Sequence, residues 1–339
     1  MNPKRFQRIV RREIDTLRRE ELIDAEGHAA LLARYPSSKW DWTSLGRWFL
    51  FFGAISTAAG VFILGSKLFE PTLENLAIGL SIVIGAVFLG AYRLGLRSLM
   101  WTKRSLELLG GLAVIGLTFT LGLIFSTGSG NWPALLLIDL FILIPLAYLL
   151  RNVLLLVLSV IVFFTWFGGV TGYVSGWGAY FFGMNYPLRF LVVGLIMIGF
   201  AFLHRQAETG TLKRYEGFFK VWLSGGMFFS EMALWLLSLF GSSSSFFSGH
   251  RETTGELFLF NVLWICLNAA ALVVGTRYQL RMLRGYAITF FIIHAYTLFF
   301  WHVANHLGGV LSTFVAGAAT LALVVHLERG RRERRAAAA

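Results

Sequence analysis

The sequence predicts an all-α fold, a polytopic transmembrane helix bundle of ten spans preceded by a short N-terminal cytoplasmic helical hairpin. Two observations predict it. Ten separate apolar stretches run from about Trp48 to His326. A helix rises about 1.5 Å per residue, so a hydrocarbon core of roughly 30 Å takes about 20 such residues. The bases between the stretches then sort by side. Of 30 Lys and Arg, 27 precede the first stretch, follow the last, or lie in or beside connections two, four, six and eight. Only Lys67, Arg189 and Arg251 fall in or beside the odd-numbered connections. The positive-inside rule turns that asymmetry into a multi-pass topology with both termini cytoplasmic.

Composition agrees. Hydrophobic residues make up 56% of the chain and charged residues 14%, a low charged fraction for a soluble domain. A net charge of +12 would point to nucleic acid in a soluble protein. Here topology accounts for the excess, so the partners expected are the lipid bilayer and its anionic head groups, with no nucleic acid. Each well-placed base adds roughly 1 kcal/mol of attraction to such head groups. Cys266 is the sole cysteine, which excludes an internal disulfide and a Cys-based metal cluster. No cofactor is expected. Residues 1–47 are too charged for a signal peptide, so the first span is expected to act as the insertion signal.

Within the first segment, 1–47, a cytoplasmic helical hairpin, residues 3–36 read as two short amphipathic helices. Phe6, Ile9, Val10, Ile14 and Leu17 recur at helical spacing, with Arg5, Arg8, Arg11, Arg12, Arg18 and Arg19 around them. Asp24 is placed to cap a second helix carrying Ala25, Ala29, Leu32 and Tyr35, which Pro36 ends. Neither helix can bury its apolar face alone, so a hairpin is expected, docked on itself or on the membrane surface. Its arginines form a surface for lipid or for a protein partner. Trp40, Trp42 and Trp48 mark the approach to the head groups.

The transmembrane domain, 48–327, divides into spans 48–68, 76–96, 105–126, 132–150, 152–173, 187–204, 218–240, 257–276, 286–304 and 308–327; a basic tail, 328–339, follows. The tight turns at Arg151–Asn152 and around Asn305 to Gly308 predict antiparallel hairpins. Small residues four apart, Gly168, Gly172 and Gly176 in the fifth span and Gly308, Ser312, Ala316 and Thr320 in the tenth, predict close helix packing.

Several stretches resemble a bacterial membrane-protein family, domain of unknown function 2157. Its opening pattern, "gLIs-eqa..Ll..Y", is similar to EELIDAEGHAALLARY at Glu20 to Tyr35. A Gly- and Ala-rich first membrane helix follows, here LFFGAISTAAGVFILGS. Later patterns, "Llgglaf.....igqiy" and "lPlayllrs", correspond to LELLGGLAVIGLTFTLGLIFS and IPLAYLLRN. The resemblance covers about residues 10–155. Leu123 and Phe125 stand where many members carry Gln and Tyr, which removes a polar role for that segment. The resemblance implies a multi-helix protein of the bacterial cytoplasmic (inner) membrane and no particular activity.

Polar groups inside hydrocarbon are expensive, about 2.5–3.5 kcal/mol for an ionisable group at a helix centre, so each needs a reason. Depth follows from distance along the helix to the nearest cytoplasmic base. Glu231 lies roughly 16 Å past Lys220, His294 roughly 15 Å past Arg284, Asn268 roughly 14 Å from Arg277, and Asp139 roughly 18 Å from Arg151. Asp139, Glu231, Asn268 and His294 therefore share a layer near the midplane, on the fourth, seventh, eighth and ninth spans. Two readings stand for that layer. One is a polar knot between helices, with Glu231 neutral or paired to His294. The other is a proton- or cation-coupled site, since a carboxyl that can release and regain a proton at that depth suits exchange. Glu107, three residues from Arg104, sits at the inner interface and is read as structural.

His302 and His306, four apart, share a helical face near the outer end of the ninth span, the weak metal site of this sequence. Zinc needs further ligands, and His250, Glu252 and Glu256 are those near in sequence. No H-E-x-x-H, P-loop, G-x-S-x-G or C-x-x-C-H motif occurs.

Three function classes follow. The first is a non-catalytic integral membrane protein acting through membrane or partner association. The second is a proton- or cation-coupled small-solute secondary transporter, because ten helices with both ends inside is what two inverted five-helix repeats produce. No pattern shared between residues 48–173 and 187–327 supports such repeats. The third is a metal-binding membrane protein using the outer histidines. The topology has a direct test. With Cys266 replaced, single cysteines at Ser129 and Ser244 should label from outside intact cells, and one at Gly210 should not. Labelling in the reverse sense at any of the three would break the ten-span arrangement.

Overall fold

The computed structural model describes residues 13–18, 20, 22–34, 72–96, 99–126, 130–176, 180–242, 254–302 and 308–321, with positions 10, 53, 56 and 60. These residues are almost wholly helical. The first full helix, α1 (Ala25–Arg34), starts at Asp24 as the sequence predicts, with Asp24 Oδ1 accepting the Gly27 amide at 2.8 Å. His28 Nε2 stands 3.1 Å from Asp15 Oδ1, and Arg18 Nη1 donates to the Ile23 carbonyl, so α1 folds back on residues 13–18. Of the six arginines of the expected basic surface, Arg18 is described; Arg5, Arg8, Arg11, Arg12 and Arg19 lie outside the described residues, as do the span 48–68 and the tail 328–339.

Among the described residues eight helices are long and apolar enough to cross a membrane. They are α2 (Leu73–Leu96), α3 (Met100–Ile124), α4 (Pro133–Leu150), α5 (Val153–Val174), α6 (Tyr186–Glu208), α7 (Phe218–Phe240), α8 (Thr254–Arg277) and α9 (Arg281–His302). They coincide with the second to ninth expected spans. Of the tenth, α10 (Gly309–Leu321) is described. The helices overrun the apolar stretches mainly at their basic ends. Backbone hydrogen bonding continues past the hydrocarbon boundary, so α3 starts five residues early and takes in Lys103 and Arg104, and α6 runs four residues late, to Glu208.

Consecutive helices pair as α2–α3, α4–α5, α6–α7 and α8–α9, and α3, α5 and α7 link these pairs. Two of the turns share one geometry. Arg151 (φ 53°) and Gln279 (φ 54°) take the left-handed conformation after α4 and α8. The next amides, Asn152 and Leu280, reach back to the carbonyls of Ala147 and Gly275. This closes each helix by satisfying carbonyls that have no intrahelical partner.

α7 is the central helix, packed against α5, α6, α8 and α9. Half of its most apolar window is buried, against 11% for α2. On α2, Ile78, Ile82 and Leu89 point away from the protein, as do Ile138, Phe141 and Leu149 on α4. Large continuous apolar surface of this kind is rare on soluble monomers and suits contact with lipid tails. The helices fit an integral membrane protein.

The tightest contact is between α6 and α7. A Cβ built on Gly226 would stand 2.8 Å from the Gly194 carbonyl oxygen and 2.9 Å from the Ile198 amide nitrogen. Both obstacles are backbone, so neither can swing aside. Close approach of helix backbones through small residues is what replaces hydrophobic driving force in lipid. The expected small-residue stripes pack only in part: a Cβ at Gly168 would meet the Phe190 ring at 3.1 Å, and Gly172, Ser312 and Ala316 are buried, but a Cβ at Gly176 or Gly308 would meet nothing within 4 Å and Thr320 is exposed. Gly226→Ala should therefore destabilise the protein by about 1–3 kcal/mol through overpacking. Gly199→Ala, where a Cβ meets nothing within 4 Å, should be neutral or slightly stabilising. Unfolding in detergent measures both, and equal effects would mean that α6 and α7 do not approach so closely.

Candidate functional site

Polar side chains gather at three levels along the bundle, and α7 passes through each. At the middle level Glu231 of α7 is fully buried. Trp264 Nε1 of α8 donates to its Oε2 at 2.6 Å. Asn268 Nδ2 donates to the same oxygen at 3.2 Å and to the Trp264 carbonyl at 3.1 Å. The Trp264 indole stacks on the His294 ring of α9, with centroids 4.1 Å apart and planes 19° apart. His294 Nε2 donates to Asn261 Oδ1 at 2.8 Å, and Asn261 Nδ2 donates to the Leu257 and Ser238 carbonyls. Thus Glu231, Asn268 and His294 do meet, but through Trp264 and Asn261; the histidine gives its Nε2 proton to an amide rather than to the carboxyl.

Asp139 is equally buried but stands apart, on α4 beside Thr118 of α3. Its helix packs against α3 and α5. Three of the four residues expected in the midplane layer form one assembly, and the fourth lies apart from it, on α4. Within the assembly two acceptors take no hydrogen bond, Glu231 Oε1 and Asn268 Oδ1. Asn261 and Trp264 were not among the expected residues. Their signal was present: 261, 264 and 268 are spaced three and four apart, which puts them on one helical face.

The second level is at the Glu208 end of α6. Trp222 Nε1 of α7 donates to Tyr148 Oη of α4 at 3.1 Å, and Tyr148 Oη lies 2.8 Å from His204 Nε2 of α6. His204 Nδ1 stands 2.9 Å from Glu208 Oε1, without the alignment of a hydrogen bond. The carboxylate also accepts the amides of Gly217 (2.8 Å) and Phe219 (2.7 Å), two of the free amides at the start of α7. An indole N–H can only donate, so Tyr148 accepts from Trp222 and its own proton is free for His204. The donors then run from Trp222 to Tyr148 to His204, whose other ring nitrogen faces Glu208. Nearby, Asn152 caps α5 by accepting from Leu154, while its Nδ2 donates to the Arg104 carbonyl and to Glu107, which also meets Lys103 at 3.5 Å. Glu107 is buried and takes Asn152 and Lys103 as its partners.

At the third level Asn185 caps α6 through Leu188 and donates to the Gly241 carbonyl. Glu256 Oε1 accepts the Ser242 amide at 2.7 Å and its hydroxyl. Arg189, an exception to the charge asymmetry, is 1% exposed: its Nε donates to the Met184 carbonyl, and its guanidinium lies 4.3 Å from the Tyr186 ring. Such an arginine is consumed by its own loop. Of the metal candidates, His250, His306, Glu252 and the His302 side chain lie outside the described residues. Among the described residues no three of His, Cys, Asp or Glu gather as metal ligands.

Glu208→Gln tests the second level. An amide group replaces one carboxylate oxygen, so a buried backbone N–H or the His204 contact loses its acceptor, at an expected cost of about 1–3 kcal/mol in unfolding. Glu216→Gln, on an exposed side chain, should change nothing measurable; parity between the two would deny the capping role. Compared with protein-family models, curated proteins and solved structures, the chain matches none.

Proposed function

We propose that this is a ten-span protein of the bacterial cytoplasmic membrane, with both termini cytoplasmic, that works by association with lipid or a protein partner rather than by chemistry on a substrate. The hairpin within residues 1–47 supplies the basic cytoplasmic surface, and the resemblance of residues 10–155 to domain of unknown function 2157 is consistent with that architecture. One observation carries the reading: three of the four midplane groups are engaged across neighbouring helices, Glu231 with Trp264 and Asn268, His294 with Asn261. Bonds of that kind hold α7, α8 and α9 together.

Coupling to a proton or cation is the second reading. It is favoured by the two acceptors without donors, Glu231 Oε1 and Asn268 Oδ1. Glu231→Gln separates the two. Its remaining oxygen can still accept from Trp264 and Asn268, and its new N–H₂ adds a donor where there was none. If the cluster is a knot, stability should hold or rise, because a neutral amide is cheaper in hydrocarbon than a carboxylate. If the cluster exchanges a proton or cation, the folded variant should lose a pH- or cation-dependent conformational change or transport that the wild type shows in proteoliposomes. That loss would overturn the first reading.

A further inference from the structure

At one end of α6–α9, residues 205–220 and 277–284 carry seven bases against two acids, Glu208 and Glu216. Glu208 is already committed to the start of α7 and to His204. Among the described residues no ion pair neutralises any of the seven. The cluster has a built centre. The Arg205 guanidinium of α6 lies over two rings, Tyr278 at 5.0 Å and Phe219 at 5.6 Å, and Lys220 Nζ lies 5.8 Å from the same Phe219 ring. Rings against its faces orient a guanidinium and leave its N–H edge for an acceptor. Tyr278 belongs to a turn of three residues between α8 and α9, so Arg277 and Arg281 flank it. Arg284 packs along α8, with its Cγ 2.8 Å from where a Gly275 Cβ would stand.

All these bases fall within about one turn of a helix end, in one layer. One helical turn deeper the surface turns apolar: Val273, four residues before Arg277, is 65% exposed, and Ile288, four past Arg284, is 53% exposed. A base cluster above an exposed apolar wall matches a molecule with an anionic head and hydrocarbon chains. We propose that this cluster binds the phosphate of an anionic phospholipid in the inner leaflet, with Arg205 and Lys220 as direct contacts and Arg277 and Arg281 around them. A fork of N–H groups suits phosphate oxygens, and basic recesses between spans on the cytoplasmic side favour anionic lipids. The proposal rests on the ten-span topology proposed above and names a lipid site within it, separate from the N-terminal hairpin.

The test uses the full chain purified from membranes that contain both phosphatidylglycerol and phosphatidylcholine, with co-purified lipid read by native mass spectrometry. Wild type should retain phosphatidylglycerol in preference. The double variant Arg205→Gln, Lys220→Gln should lose that preference by roughly fivefold or more per charge, and Arg205→Lys, which keeps charge but not the planar fork, should fall between. Arg93→Gln with Arg151→Gln removes equal charge from helices outside the cluster and should keep most of the preference. An equal loss in both double variants would show a general surface effect and overturn the site, as would full retention in the first. Should the first variant not fold, Arg277→Gln with Arg281→Gln gives the same reading. Displacement of the lipid by soluble glycerol phosphate at equal concentration would overturn the lipid as ligand. Labelling of a Gly210→Cys variant from outside, with lipid selectivity intact, would instead fail the topology and leave the site.

Discussion

Inside hydrocarbon a buried polar group has no water to turn to, so a partner on another helix or on its own backbone is what makes its burial tolerable. α7 is where those partners meet. Trp222 reaches α4 through Tyr148, Ser224 meets Tyr286 of α9, Glu231 holds Trp264 and Asn268 of α8, and Trp235 donates to Thr297 of α9. Lipid tails are as apolar as Leu, so burying Leu against Leu does little to choose a neighbour. The polar side chains choose it, and the order of helices around α7 follows from which of them carries the matching donor or acceptor.

Three carboxyl groups fix α7 along its length, and only one belongs to it. Glu208 of α6 accepts the amides of Gly217 and Phe219 where α7 begins. Glu231, near the middle, ties it to α8. Glu256 of α8 accepts from Ser242 just past its end. The two end contacts make physical sense together: a negative group at the start meets unpaired amides and the positive pole of the helix, while the contact past the end holds the chain at Gly241, where φ is +66°. Glu256, which looked like a metal ligand by proximity in sequence, is engaged in that second role.

Much of this could be read from the chain itself, and what could not has a common cause. Apolar length located α2 to α9, and Asp24 and the Arg151–Asn152 turn were visible because caps and turns depend on neighbouring residues alone. The rise per residue placed Glu231, Asn268 and His294 at one depth, and they meet. The same count assigned Asp139 to that depth, yet it lies beside Thr118, because depth is one coordinate and the rotation and neighbours of a helix are others. Glu208 was lost to a boundary: hydropathy ends the sixth span at His204, while the helix continues one turn to place the carboxylate under α7. Tyr148 and Trp222 were lost because an aromatic on an apolar face looks like any other until a partner 56 or 74 positions away supplies its hydrogen bond.

The rotation of α7 is itself set by something the sequence shows only as composition. Gly226 and Ser230, four apart, form the strip that faces α6: the Gly194 backbone lies against both, too close for any Cβ on Gly194. A helix advances about 100° per residue, so with Ser230 turned toward α6 the next side chain, Glu231, must turn away from it. The side it turns to is occupied by α8, and there Trp264 and Asn268 wait with their donors. The small residues and the buried carboxyl are thus one arrangement. Tight packing on one face of α7 decides which helix receives the carboxyl group on the next, and larger residues in that strip would move the carboxyl away from the donors that make its burial tolerable.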